Sequence, residues 1–195
     1  MNAIIGLDDI ALHDPEISDK TREYLLKIGA SADHLLGLIN DILDMSRIES
    51  GHMTLKNEEF SVPKLLEAIN TMFSGQCQHK GLEYQCHING QVDDFYIGDN
   101  MKLSQVLINI LGNAVKFTPE GGSVSLTIDR MAQYEGQTTL RFRIADTGIG
   151  MSKDSLPHIF EAFSQEDSST TDKYGSSGLG LAITKSIVEM MNGNI

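Results

Sequence analysis

Three separate stretches of the chain carry residue types whose chemistry is complementary. In the first, Lys102, Gln105, Asn109, Asn113 and Lys116 recur at intervals of three and four. Each helical residue advances roughly 100° around the axis. On a helix beginning near Asp99 these side chains therefore form one narrow polar stripe. Leu103, Val106, Leu107, Ile110, Leu111, Ala114 and Phe117 cover the opposite arc, wide enough to pack on a sheet. The stripe holds no glutamate and places Asn, a mediocre helix former, at two interior positions. An Asn pair one turn apart, followed by Lys, offers carbonyl oxygens to a hard cation and an ammonium to phosphate oxygens. The plain alternative is a solvated helix face.

The second stretch is Asp146-Thr147-Gly148-Ile149-Gly150 at the end of an alternating segment. Its two glycines let backbone approach a flat ligand, and its carboxylate can accept a hydrogen bond from an exocyclic amine such as that of adenine. The third is Gly175-Ser176-Ser177-Gly178-Leu179-Gly180-Leu181 opening a helix, where free N–H groups and the helix dipole favour phosphate. Each is weak alone; their order and spacing together are specific.

The elements that must position these stretches follow from periodicity. Residues 1–12 have helical spacing and stop at His13-Asp14-Pro15, since proline cannot continue the ladder. Ser18 or Asp19 can cap a second helix. In it Leu25, Ile28, Ala32, Leu35, Ile39 and Ile42 alternate three and four apart over about three heptads, a coiled-coil seam. Gly51 is a plausible stop. Such a hairpin needs facing partners, and a dimeric four-helix bundle supplies them. Beyond it, Met53 and Leu55 alternate into Phe60 as a strand, and Pro63 opens a helix to about Gln78. Leu82–Ile88 and Phe95–Ile97 are predicted strands. Val124, Leu126 and Ile128, then Leu140, Phe142 and Ile144, form two half-buried strands joined across Met131–Gln137. Phe160 and Phe163 are expected to end a short helical stretch, Ser164–Ser177 is polar and expected to be a mobile connection, and a last helix is expected from near Gly178 to Met191.

Composition excludes several classes. The net charge of −12 argues against nucleic acid. No apolar run approaches a membrane span, and the N-terminus lacks the form of a signal peptide. Cys77 and Cys86 have neither zinc-ligand spacing nor a disulfide framework and are expected to be reduced packing thiols. The chain is expected to be cytoplasmic, with membrane attachment left open for a longer protein.

With its heptad hairpin and the three stretches in this order, the chain resembles the sensor histidine kinases, most closely the hybrid kind that carries a receiver domain. Asn109–Thr118 matches the family's asparagine box, Asp146–Gly150 its first glycine box, Ile159–Gln165 its phenylalanine box and Gly175–Leu181 its second glycine box. The resemblance implies an α+β chain. Residues 1–52 would be the dimerisation and phosphotransfer hairpin, and 53–195 an ATP-binding catalytic domain built as an α/β two-layer sandwich. It implies ATP or ADP and Mg²⁺ as ligands. Asn113 would hold the metal, Asn109 and Lys116 would contact the phosphates as the catalytic pair, and Asp146 would bind the adenine amine. Gly148, Gly150, Ser177, Gly178, Leu179 and Gly180 would complete the nucleotide site. The implied partners are a second copy through the hairpin and a response-regulator receiver domain.

Three departures qualify the match. The family's phosphoacceptor histidine precedes a Met-Asn-Ala-Ile-Ile-Gly run, with which this chain opens. None of His13, His34, His52, His79, His87 and His158 has the family's acidic neighbour. The expectation is transfer to a histidine outside the chain, no autophosphorylation alone, and a weakened dimer. The family's last strands are expected to be missing. In the lid, Asp172 and Ser176 stand where Arg and Gly are usual, so Asp172 would either repel a terminal phosphate or cap a turn. A non-catalytic nucleotide-binding and dimerisation module is the alternative function. The related gyrase-type ATPases need a glutamate one turn before the metal asparagine; Asn109 stands there and cannot accept a proton from water.

Overall fold

In a computed structural model the described residues are 2–15, 17–164 and 178–195. They form two compact units, Met1–Met53 and Thr54–Ile195.

The first unit is a helical hairpin. Helix α1 (Asn2–Leu12) ends as the sequence pattern requires, and Ser18 caps α2 (Asp19–Glu49) by accepting from Thr21 N at 3.1 Å. Arg22 closes the turn by donating to Leu12 O. Gly51, at φ 69°, leads the chain away from the helix end. Among its described residues only Asp8 and Ala32 are buried. A Cβ on Gly29 would lie 2.6 Å from Asp8 Oδ2, so the helices touch through their smallest residue. Of the seam, Ile28, Leu35, Ile39 and Ile42 stay exposed. At about 25 cal/mol per Å² of apolar surface, a hairpin that buries so little gains little by itself.

The second unit has two sheets. Strands β1 (Glu58–Ser61) and β3 (Phe95–Gly98) pair antiparallel. Strand β2 (Glu83–Asn89) runs parallel to β4 (Ser123–Tyr134), which pairs antiparallel with β5 (Gln137–Asp146), giving the order β2-β4-β5. Helix α3 (Val62–Lys80) starts on a Ser61 cap with Pro63 in its first turn, where a missing N–H costs nothing. It ends on Gly81 at φ 70°. Helix α4 (Asn100–Phe117) crosses the same core, and α5 (Gly180–Met190) packs on α4. Val124, Leu126 and Ile128 are fully buried beneath Leu65, Ile69 and Phe73 of α3 and Leu107, Leu111 and Val115 of α4. The mixed helix-and-sheet sandwich is the fold class expected. Cys77 and Cys86 are free thiols, both pushed up in pKa by burial.

Four local expectations are corrected. Strand β1 begins at Glu58 rather than Met53, because its partner β3 has only four residues and pairing stops at Glu58↔Gly98; Lys56 N turns instead to Asp99. Strands β4 and β5 run on past Met131 to a two-residue turn, Glu135-Gly136, both at positive φ. A bulge between Arg130 and Ala132 absorbs the irregular pattern there. Residues 159–163 form successive turns, not a helix, and Phe163 adopts φ 63°. On α4, Val115 is buried while Ile110 and Phe117 are half-buried, so the core lies slightly around the helix from the predicted arc.

Candidate functional site

Helix α4 is anchored at both ends. At its start Asp99 caps through Oδ1, which accepts from Lys102 N at 2.9 Å, while Oδ2 accepts from Lys56 N at 3.0 Å. Burial opposes ionisation of Asp99, but these backbone donors and the Lys102 ammonium outweigh it and hold its carboxyl below the ordinary value. At its end Lys80, the last residue of α3, donates through Nζ to the carbonyls of Val115 and Lys116, each at 2.7 Å. These carbonyls have no intrahelical donor and carry the negative end of the helix dipole, so a cation there is favoured. Thr118, fully buried, closes the last turn by donating to Ala114 O at 2.6 Å.

Along the stripe, Lys102 Nζ donates to Gln105 Oε1. Asn109 donates through Nδ2 to Gly180 O at 2.8 Å and to Thr184 Oγ1 at 3.2 Å, joining α4 to α5. Asn113 is half-buried, and among the described residues no hydrogen bond engages its amide. Lys116 Nζ lies over the Phe117 ring, 5.1 Å from its centroid, and burial lowers its pKa. An incoming anion would relieve the cost of keeping that ammonium charged.

The Asp146 turn docks on the far end of α4. Asp146 Oδ1 accepts from Gly148 N at 2.9 Å, which aims the carboxylate and leaves it exposed. Ile149 N donates to Phe117 O at 3.2 Å. A Cβ on Gly148 would lie 2.6 Å from Asp146 Oδ1 and 2.7 Å from Phe117 O, so no larger residue fits. Thr147 locks the strand end, donating through N to Ser123 O and accepting from Ser123 N. Gly150 takes φ 70° with open space around it.

At the start of α5, Gly178 adopts φ 68° and Leu179 is buried without a side-chain cap, which leaves the first-turn N–H groups uncapped by Leu179. Gly180 is required by contact: a Cβ there would meet Asn109 Oδ1 at 2.9 Å. The three stretches therefore converge on α4, Gly180 at Asn109 and Gly148 at Phe117. Ser177, Ser176 and Asp172 lie outside the described residues. Sequence reasoning missed Lys80, Thr118, Thr147 and Thr184. Lys80 followed by a glycine carried the signal of a helix end, and Thr184 lies one turn beyond Gly180.

The donor set suits a hard divalent cation only in part. Among the described residues no three His, Cys, Asp or Glu side chains are grouped to hold a metal. Asn113, and the Asn109 oxygen beside it, are hard neutral ligands, which matches the way Mg²⁺ is held by few protein groups together with phosphates and water.

The family model "Histidine kinase-, DNA gyrase B-, and HSP90-like ATPase" matches residues 98–195, and the model "His Kinase A (phospho-acceptor) domain" matches residues 1–51. The chain is 35% identical over 195 residues to the signal transduction histidine-protein kinase BarA of Escherichia coli. It is 36% identical to the autoinducer 2 sensor kinase/phosphatase LuxQ of Vibrio cholerae, and 38% to the sensory/regulatory protein RpfC of Xanthomonas campestris. All of this chain is covered in each match, but only 21%, 22% and 27% of those proteins. Among solved structures, full-length ShkA in complex with AMPPNP superposes with a TM-score of 0.74 at 32% identity, covering 98% of this chain and 39% of that one. The histidine kinase AdeS of Acinetobacter baumannii, at 21% identity and a TM-score of 0.61 over 97% of this chain and 83% of its own, shares the fold. The chain belongs to the sensor histidine kinases, and its relatives over its whole length are of the hybrid kind.

Proposed function

We propose that this chain binds ATP with Mg²⁺ on the α4 stripe and serves as the catalytic region that transfers the γ-phosphoryl group to a histidine. The observation that carries the reading is the docking of the Asp146 turn and the α5 glycine on one helix. It gathers an amine acceptor, an ammonium and hard oxygen ligands along a single face. In this reading Asp146 accepts from the adenine amine, Gly148 and Gly150 let backbone pass close to the base, and Lys116 neutralises phosphate. Gly178, Leu179 and Gly180, with Ser177, offer N–H groups to the phosphates. Asn113 would hold Mg²⁺, which would supply positive charge to offset that of the phosphate oxygens. The acceptor is none of the six histidines of this chain. Residues 1–52 act as the dimerisation hairpin, 53–195 as the catalytic domain, and a receiver domain of a response regulator is the next phosphate carrier. Among the described residues no helix is long and apolar enough to cross a membrane; we place the chain in the cytoplasm.

Calorimetric titration tests the site. Asn113→Ala should remove the Mg²⁺-dependent part of ATP affinity, and Asp146→Asn should weaken adenine recognition, because an amide keeps one acceptor and loses the charge. Unchanged affinity in both variants would refute it.

A further inference from the structure

The last four carbonyls of an α-helix find no donor within the helix proper and must be met from beyond it. In α4 these belong to Ala114, Val115, Lys116 and Phe117, and each is met. Thr118 donates to Ala114 O through N at 3.1 Å and through Oγ1 at 2.6 Å. Lys80 Nζ, reaching across from the end of α3, donates to Val115 O and Lys116 O, each at 2.7 Å. Ile149 N, three residues past Asp146, donates to Phe117 O at 3.2 Å. One ammonium therefore braces the two carbonyls that precede the one carrying the Asp146 turn. Thr147 fixes only where that turn leaves the sheet, through its two bonds to Ser123. Past this lock, Gly148 lies against the helix end. A Cβ on it would be 2.6 Å from Asp146 Oδ1 and 2.7 Å from Phe117 O, so carboxylate and carbonyl oxygens flank the same spot. Both oxygens are negative, at the negative pole of the helix dipole, and the Lys80 ammonium offsets that pole.

Building on the nucleotide-site reading above, we infer that Lys80 is a positioning residue for base recognition. It sets the end of α4 against which Asp146 is aimed, and so governs how well the site distinguishes adenine from a base without the amine. Removing its ammonium orphans two carbonyls, which then turn toward water and loosen the last turn. Phe117 O moves with that turn, and with it the seat of Gly148 and Ile149. The carboxylate is displaced because Gly148 N is the donor that orients it. Lys116 shares the loosened turn, so its contact with phosphate weakens for every nucleotide alike. The preference between two bases carrying the same phosphates therefore isolates the effect on Asp146.

The test is calorimetric titration of the full chain with ADP and with inosine diphosphate, which carries a carbonyl where adenine carries its amine. Urea unfolding confirms that each variant is folded under the conditions used. The unaltered chain should prefer ADP by at least about tenfold, the ratio for one hydrogen bond to a charged group. Lys80→Met should bring that preference below about threefold. Asp99→Ala is the control, since it weakens α4 at the opposite end, and it should keep the full preference. Lys80→Gln retains one donor and serves if the Met variant does not fold; it should lower the preference by at least about threefold. An undiminished preference in the folded Lys80 variant, or the same fall in Asp99→Ala, would overturn the inference. An unaltered chain that binds both nucleotides equally, or neither, would instead overturn the assignment of Asp146 to adenine on which the inference rests.

Discussion

Replacing Gly148 with alanine tests the junction between the Asp146 turn and α4. The added Cβ would sit 2.7 Å from Phe117 O and 3.1 Å from Phe117 C, both backbone atoms of the last helical residue. Neither can swing aside as a side chain could, so the turn must lift. Lifting it stretches the Gly148 N–Asp146 Oδ1 bond of 2.9 Å and the Ile149 N–Phe117 O bond of 3.2 Å. Two hydrogen bonds at a net ~1 kcal/mol each, with overpacking of ~1–3 kcal/mol, give a loss of about 3–5 kcal/mol. Gly150 is the internal control, since a Cβ there meets open space and costs only the strain of φ 70°, about 1 kcal/mol. Urea unfolding of both variants measures the difference, and titration with ATP measures its consequence. Because Gly148→Ala displaces the carboxylate assigned to adenine, it should weaken ATP binding by at least about tenfold, the equivalent of 1.4 kcal/mol. Gly150→Ala should change it much less. Equal destabilisation by the two substitutions, or full ATP affinity in Gly148→Ala, would refute the docked turn as the element that aims Asp146.

Three further outcomes follow from named contacts. Asp99→Ala removes the α4 cap and the acceptor for Lys56 N and should cost about 1–2 kcal/mol by urea unfolding at neutral pH. Because the folded carboxyl lies below its ordinary 3.8, that advantage is complete above this value and is lost as pH falls through the lower folded one, so the curves of variant and parent should converge in acid. Lys80→Met leaves the carbonyls of Val115 and Lys116 without their ammonium donor, and should destabilise the second unit by about 1.5–3 kcal/mol, read as a lower urea midpoint; an unchanged midpoint would remove Lys80 as the cap. Sedimentation should show concentration-dependent self-association that Leu35→Glu with Ile39→Glu abolishes, since both side chains are exposed on α2; a strict monomer at high concentration would disprove the seam.

Much of this protein could be read from local signals. The seam of α2, the Ser18 and Asp99 caps, the proline-led start of α3 and the alternation of Val124, Leu126 and Ile128 are all set by neighbours within a turn or a pleat. Sequence order was enough to suggest the nucleotide stretches, because each is a short run whose backbone needs are met by its own glycines. What local pattern could not decide was anything requiring a partner distant in the chain. Strand β1 begins only where β3 can pair with it, a limit set 40 positions away by the pair Glu58↔Gly98. Local pattern ends α3 near Gln78 and gives Lys80 no role; that role arises only where α3 and α4 lie side by side. The resemblance set Asn109 against the phosphates, yet folding commits its NH₂ to α5, and only the placement of Gly180 and Thr184 decides which atom of its amide is left to face a ligand. An amide has a donor end and an acceptor end of nearly equal size; the sequence names the group, and the three-dimensional hydrogen-bond network alone orients it.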